Sequence, residues 1–164
     1  MEKRVKYLLV LAVAICVAVA FYVVNPWTAV ANTLGTAEVD DMALHRAESG
    51  DTVFIYYIAV NNPAWTPVTV ERVEITLLVN RTDHLSRVMQ NEPLTVNPGT
   101  GVTLQKLVYF AGSPIGYQSP GQKTYQLEAT AKIFASANSL GMSASQSHVI
   151  TDQRSWTYMK AESS

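Results

Sequence analysis

The sequence predicts an all-β domain, an antiparallel β-sandwich of about seven strands, behind one N-terminal transmembrane helix. Three observations predict it. Residues 7–24 form an uncharged apolar run near the start. From Glu38 onward the dominant hydrophobic period is two, which is the period of a β-strand. Clusters of Asn, Pro and Gly separate the successive runs, and no segment after residue 37 shows the 3.6-residue period of a helix.

The apolar run has the length and the flanks of a membrane anchor. At 1.5 Å per residue a helix over residues 7–24 spans roughly 27 Å, close to the ~30 Å hydrocarbon core of a bilayer. Lys3, Arg4 and Lys6 precede it, and positive charge on a short leading segment is retained in the cytoplasm. We therefore expect a single-pass protein of the cell membrane, with residues 1–6 in the cytoplasm and the C-terminal domain outside it.

A cleaved signal peptide is the alternative to a retained signal anchor. Ala29-Val30-Ala31 fits an A-x-A cleavage site, and Pro26 would end the helix before it. The run is longer than the roughly 7–15 apolar residues of a signal peptide, which favours the anchor. Cys16 is the single cysteine, and Ile15 in front of it argues against lipidation. The exported part therefore has no disulfide and no cysteine nucleophile.

The rest of the chain divides into three parts. Residues 25–37 are predicted to be a linker of small and polar residues, with Trp27 at the membrane interface. Residues 38–152 form the extracytoplasmic sandwich, and residues 153–164 form a tail whose alternation around Trp156 either extends the last strand or stays unpaired. The charges are spread along the exported chain instead of clustering, so we expect no nucleic-acid partner.

The strand patterns predict the core. Residues 53–60 are continuously apolar, which indicates a central strand buried on both faces and ending at Pro63. In the next run the inward parity changes between Val70 and Val73. This predicts a β-bulge or a bend at Glu71 and Arg72, and such a bend would let one long strand serve both sheets. The predicted core comprises Val53, Ile55, Val73, Ile75, Leu77, Leu104, Leu127 and Ile133.

Further strands are predicted at residues 102–110, 124–135 and 142–150, with a turn over residues 138–141.

These segments resemble the water-stress and hypersensitive-response (WHy) domain of the atypical late-embryogenesis-abundant proteins. The resemblance lies in the apolar strand 53–60, in Asn62-Pro63, in the P-V-x-V pattern of residues 67–70 and in the alternating strand 73–80. Residues 96–104 and 125–142 are similar to later parts of that domain, whereas the loop 111–123 is longer and richer in Gly and Pro. The resemblance implies a fibronectin- or immunoglobulin-like sandwich, no enzymatic activity, a link to stress tolerance and a lipid as a candidate ligand.

Candidate chemistry is sparse. His45, His84 and His148 lie far apart and form no local ligand pair, so we expect no metal site and no cofactor. No G-x-S-x-G elbow is present, and Asp40 and Asp41 would point to opposite faces of a strand. We expect a protein that is not an enzyme. A metal-dependent or hydrolytic enzyme is kept as a further hypothesis, beside the two non-enzymatic functions described next.

Interaction is the function that the sequence favours. The loop 112–121 carries Ile115 and Tyr117 and is either a binding loop or a plain connector. Trp65 is expected to cap the core, the alternative being an aromatic face for a partner. Asn80 begins an N-x-T sequon and is a candidate glycosylation site.

The expected partners are the lipid bilayer, through residues 7–24, and a lipid, a cell-envelope component or a membrane protein. The alternative function is that of an accessory subunit of a larger membrane complex. In that case the small residues of the apolar run would pack on other helices: Ala12, Ala14, Ala18 and Ala20.

Overall fold

The computed structural model describes residues 2–46, 52–79, 82–90, 93–110 and 121–160. Two helices come first, followed by eight strands. The helices are α1 (Glu2–Val23) and α2 (Pro26–Gly35), and the strands are β1 (Glu38–Arg46), β2 (Thr52–Asn61), β3 (Val68–Val79), β4 (Thr82–Gln90), β5 (Leu94–Val96), β6 (Gly101–Phe110), β7 (Gly121–Ser139) and β8 (Met142–Lys160).

The strands form two antiparallel sheets, which confirms the predicted all-β sandwich behind an N-terminal helix. One sheet has the order β1-β2-β6. The other has the order β4-β3-β7-β8, with the short β5 also pairing with β3. Side chains from the inner faces of both sheets are buried together and form the core. The described part of the chain thus has one strand more than the expected seven, because the long connection after β3 contains both β4 and β5.

Most of the predicted core is confirmed, and the exception lies on β2. Val73, Ile75, Leu77, Leu104, Leu127 and Ile133 are all buried. On β2 the buried residues are the even-numbered ones, Phe54, Tyr56, Ile58 and Val60, whereas Ile55 is half-buried on the other face. The side chain of Val53 lies outside the described residues. The prediction was wrong at Ile55 because a continuously apolar strand carries no alternation from which its inner face can be determined.

The predicted bulge is confirmed at Glu71. The β3–β7 register shifts between Val70 and Arg72, so that Glu71 is the extra residue. Val70 and Val73 are each 2% exposed, and both therefore point inward despite their different parity. The expectation that the bend lets β3 serve both sheets was wrong. β3 stays in one sheet, where its first half pairs with β5 and its second half with β4.

Residues 25–37, which were predicted to be a linker, contain the ten-residue helix α2. The Asn25 side chain caps its N-terminus by accepting a hydrogen bond from Trp27 N at 2.9 Å. Pro26 occupies the first helical position, where its fixed φ suits a helix and its missing N–H costs nothing. The helix buries Ala29, Val30 and Leu34 in the core shared with the sheets.

The last strand continues beyond residues 142–150. β8 runs to Lys160, so residues 153–160 extend it, which is the first of the two alternatives given for this segment. It pairs with β7 over residues 142–160 without a register shift. The two strands are joined at Leu140 and Gly141, whose φ angles are 51° and 75°. Two positive φ values define a type I′ hairpin turn, which lies within the predicted turn at residues 138–141.

Candidate functional site at the junction of helix and sandwich

Four segments meet at one end of the sandwich, which we call the helix-side end. They are α2, the loop 62–67, the turn 97–100 and the tip of the β7–β8 hairpin at residues 139–142. The loop precedes the start of β3, where Val68 pairs with Val96 and Thr69 pairs with Ser136. The hairpin tip therefore projects beyond the start of β3 at the same end of the molecule.

Asn62 is the centre of this end. It is 1% exposed. Its side-chain Nδ2 donates to the carbonyl oxygens of Thr66 and Val96, each at 2.9 Å. Its Oδ1 accepts from Thr33 Oγ1 and from Ala64 N, each at 3.0 Å. A primary amide has two donor hydrogens and one acceptor oxygen with two lone pairs, so all of its hydrogen-bonding capacity is used.

The backbone of Asn62 adds two more bonds. Asn62 N donates to Thr100 O at 2.9 Å, and Gly99 N donates to Asn62 O at 2.8 Å. One residue thereby connects α2, its own loop, β5 and the turn 97–100. Because these groups are buried, each would cost free energy if its partner were removed.

Two threonines attach the helices to the sandwich. Thr36 lies one residue beyond α2, and its Oγ1 accepts a hydrogen bond from Asn61 N at 2.9 Å. The same Oγ1 lies 2.7 Å from Thr33 O and from Asn61 O, and it donates its single hydrogen to one of them. Thr66 Oγ1 donates to Val24 O at 3.2 Å. Val24 directly follows α1, so this bond joins the C-terminal end of the apolar helix to the loop that precedes β3. The sandwich is thus fixed to α1 by a hydrogen bond and by the capped helix α2, and not by a free tether.

Trp65 lies on this junction but does not cap the core. Its side chain is 76% exposed, so the capping prediction was wrong. The neighbouring Thr66 is buried and bonded to Val24, whereas the side chain of Trp65 is exposed. Trp27 in the first turn of α2 is also half-exposed, at 51%.

The other sequence-predicted site residues are not brought together here. Ile115, Tyr117 and Asn80 lie outside the described residues. His45 is on β1, His84 is on β4 and His148 is on β8, where its side chain is exposed. Within the described residues, no group of three or more His, Cys, Asp and Glu side chains could hold a metal ion.

The acidic residues near the β1 and β8 edges are engaged by one arginine. Arg154 Nε lies 2.6 Å from Asp152 Oδ2, and its Nη1 lies 3.2 Å from Asp41 Oδ1. The pair between Arg154 and Asp41 joins β8 to β1 at one side of the sandwich.

The buried Tyr56 hydroxyl has no hydrogen-bond partner among the described residues. Burial raises the pKa of Tyr56, the negative charge of Asp152 raises it further, and Arg154 opposes this. This side of the molecule offers paired charges and an un-ionised phenol instead of an activated nucleophile.

Sequence reasoning missed α2 and the Asn62 network. The signal for α2 was present, because Asn25-Pro26 is an N-cap followed by a proline at the first helical position. No local signal marked Asn62 as buried, since its partners Thr33 and Val96 are 29 and 34 positions away.

The fold and this junction define a class of protein: an antiparallel β-sandwich carried on an exposed apolar N-terminal helix. A scan against protein-family models and a search of curated proteins each found no match. Solved structures share the fold. One is the solution structure of a protein provisionally assigned to the late embryogenesis abundant (LEA) group, with 12% identity, a TM-score of 0.54 and coverage of 90% of this chain and 88% of that one.

A second similar structure is the crystal structure of a protein from Archaeoglobus fulgidus. It has 15% identity and a TM-score of 0.50, and the match covers 76% of this chain and 98% of that one. At these identities the likeness concerns the fold. The LEA-type sandwich that the sequence resembles is therefore supported as an architecture.

Proposed function

We propose that this chain is a non-enzymatic, single-pass membrane protein that holds a WHy-like β-sandwich outside the cytoplasm. The sandwich binds a lipid, a cell-envelope component or a protein partner in a stress-related role. The observation that carries the proposal is that α1 is apolar, long and exposed. Its segment Arg4–Val23 is 20 residues long, apolar enough to cross a membrane and not buried by any other part of the described chain.

An exposed helix of this kind is unstable in water. Its apolar side chains are between about half and three-quarters exposed, among them Leu8, Val13, Val17 and Phe21. A helix that is apolar on all sides is either buried in a protein or surrounded by lipid. Since the sandwich does not cover α1, the bilayer is the environment that would.

The orientation rests on the leading charges. Lys3, Arg4 and Lys6 precede the apolar segment, whereas residues 7–37 contain no Asp, Glu, Lys or Arg. Basic residues on a short flanking segment favour the cytoplasmic side. The sandwich then lies on the other side. The LEA-like fold of the structural neighbour supports the stress-related part of the proposal.

Protease accessibility tests the anchoring and the orientation. The full chain is expressed with an epitope tag at each end, and the membranes are washed at alkaline pH. We expect the protein to stay in the membrane, protease outside intact cells to remove the C-terminal tag, and the N-terminal tag to survive. Release by the wash, or loss of the N-terminal tag alone, contradicts the proposal. The intact mass of the same protein reports cleavage near Ala31 and glycosylation at Asn80.

The second candidate function is that of an accessory subunit of a membrane complex. An open groove runs along one side of α1 and is lined by Ala14, Val17, Ala18, Phe21, Tyr22 and Asn25. Ala14 and Ala18 are one turn apart, and small residues at this spacing allow two helices to approach closely. Co-purification in mild detergent separates the two functions, because a stable stoichiometric complex is expected only for the subunit. Replacing Ala18 with Leu should dissociate such a complex, whereas Val10→Leu outside the groove should not.

A further inference from the structure

We infer that the helix-side end of the sandwich is itself a membrane-contacting surface, which lies in the headgroup region of the bilayer with Trp27, Trp65 and Leu140 inserted. This inference rests on the proposed membrane anchoring and goes beyond it. Anchoring through α1 does not by itself assign any part of the sandwich to the lipid. The inference gives the sandwich a fixed contact with lipid and names the side chains that make it.

The first support is the absence of charge in the segments that form this end. Residues 7–37, 52–70, 93–105 and 133–151 contain no Asp, Glu, Lys or Arg, although the chain has 12 basic and 13 acidic residues. These ranges include α2, the loop 62–67, the turn 97–100 and the hairpin tip. Dispersed in the sequence, they converge in the fold. Charged side chains are costly in a bilayer, whereas uncharged polar groups are tolerated at its surface.

The second support is the depth of this uncharged layer. Charges resume at Glu38, which pairs with Ala59 two positions before the end of β2, and at Glu71, three positions into β3. At about 3.3 Å per residue these charges begin roughly 7–10 Å from the ends of the strands. Amphipathic helices that lie in the interface bury their apolar face to a depth of about 5–10 Å, which is the scale of an interfacial contact. The layer therefore has the thickness that interfacial contact requires.

The third support is the type of side chain that this end exposes. Trp65 is 76% exposed, Leu140 is 71% exposed and Trp27 is 51% exposed. Tryptophan is enriched at membrane interfaces, because its ring is apolar and its N–H can bond to water or lipid.

The backbone conformation of Leu140 also lowers the stability of the fold. Its φ of 51° lies in the left-handed region at a hairpin position that favours Asn or Gly. A contact between Leu140 and lipid would offset the cost of placing an exposed leucine at this position.

Continuity with α1 selects the bilayer as the occupant. Thr66 Oγ1 donates to Val24 O, so Trp65 is one residue from a direct bond to the end of the membrane-spanning helix. Trp27 is three residues beyond Val24. When α1 spans the bilayer, Val24 lies at its surface, and these two tryptophans lie there as well. Nothing in the structure places a second copy of this chain or a partner protein next to these two tryptophans in the same way.

Depth-dependent fluorescence quenching tests the inference on the full chain in phosphatidylcholine vesicles. Variants that keep one tryptophan each (Trp27, Trp65 or Trp156) are made by replacing the other two with Phe. Some vesicles carry a nitroxide near the carbonyl end of the acyl chain. We expect quenching of Trp27 and Trp65 to be several-fold stronger than that of Trp156, which pairs with Tyr125 toward the opposite end of β8. Equal and weak quenching of Trp65 and Trp156 would overturn the inference.

A marker in the span separates this failure from a failure of anchoring. Val13→Trp, in a chain without other tryptophans, is read with a nitroxide near the end of the acyl chain. If the marker is quenched and Trp65 is not, the chain is anchored and the surface contact is refuted. If the marker is not quenched, the membrane anchoring is refuted together with the inference.

Leu140 is tested by labelling. In a chain with Cys16→Ala, Leu140→Cys and Val149→Cys are each labelled with an environment-sensitive fluorophore. Val149 is a suitable control because it is also exposed, at 52%, but is on β8 opposite Lys132. We expect the emission at position 140 to shift to the blue in vesicles and the emission at position 149 to stay as in water. Equal emission at both positions would remove Leu140 from the surface.

Discussion

At the scale of single residues, the helix-side end depends on one buried amide. Asn62 makes four side-chain hydrogen bonds, which reach α2, the loop 62–67 and β5. The sequence N-N-P allowed a turn to be predicted at this point. It did not indicate which asparagine is buried, because the burial is decided by α2 and β5, which are distant in sequence. Trp65 was misplaced as well, because the average tendency of tryptophan to be buried does not determine the position of one particular side chain.

We expect Asn62→Ala to destabilise the fold by about 2–4 kcal/mol, since it leaves buried carbonyl groups and a threonine hydroxyl without partners. Urea unfolding of the protein in detergent, followed by circular dichroism, measures the change. Asn61→Ala is the matched control, because the side chain of Asn61 is exposed and its bonds to Thr36 are made by the backbone. Similar losses in both variants would contradict the central role of Asn62.

Tyr56→Phe should have the opposite effect. The Tyr56 hydroxyl is buried without a partner among the described residues, so its removal should stabilise the fold by about 1 kcal/mol. Its raised pKa adds a pH dependence. An unfolded tyrosine loses its proton near pH 10, whereas the folded one keeps it, so stability falls as the pH rises above about 10.

The Tyr56→Phe variant should lose less stability between pH 8 and pH 11 than the parent does, as measured by urea titration at both values. Tyr57→Phe, on the other face of β2, is the control. An unchanged loss in Tyr56→Phe would show that this hydroxyl does not resist ionisation.

At the scale of elements, the alternation of apolar and polar residues was sufficient to predict the inner face of a strand wherever it was present. β3 alternates on both sides of Glu71, and both its inner face and its bulge were predicted. β2 has no alternation, and its inner face was not. α2 was not recognised, although its buried residues Ala29, Val30, Thr33 and Leu34 recur at helical spacing, because the small and polar residues of this segment were interpreted as a linker.

Adjacent leucines on β3 test the assigned inner face. Leu77 is 1% exposed in the core, and Leu78 is half-buried on the outer face. Leu77→Ala should cost about 2–5 kcal/mol, because it removes core volume and leaves a cavity. Leu78→Ala should cost much less. Chemical denaturation of both variants decides the matter, and equal costs would mean that the inner face of β3 is wrong.

The β7–β8 turn yields a prediction of higher stability. Leu140→Asn places a residue that tolerates positive φ before Gly141, and should stabilise the hairpin by about 1 kcal/mol in detergent. In vesicles the same variant should weaken the contact of the helix-side end with lipid, seen as reduced quenching of Trp65. Loss of stability in Leu140→Asn would show that the turn is not strained.

At the scale of the whole molecule, the sequence predicted the two parts but not how they are joined. The apolar run and the period of two were sufficient for a helix followed by a sandwich. The joint was not predictable, since it is made by pairs such as Thr66–Val24 and Thr33–Asn62 that no local pattern encodes. The charge-free end was hidden for the same reason. Its four segments are separated along the chain, and only the sheet topology brings them to one side.

The bond between Thr66 and Val24 has a mechanical consequence. The pairing of β7 and β8 covers 19 residues and is roughly 60 Å long. Apolar helices lean over when the bilayer is thinner than their hydrophobic length. With a stiff joint, a change in tilt of about 10° would swing the distal tip of such a hairpin by roughly 10 Å. If α1 spans a bilayer as proposed, the angle between the sandwich and the membrane would therefore follow the local thickness of the lipid.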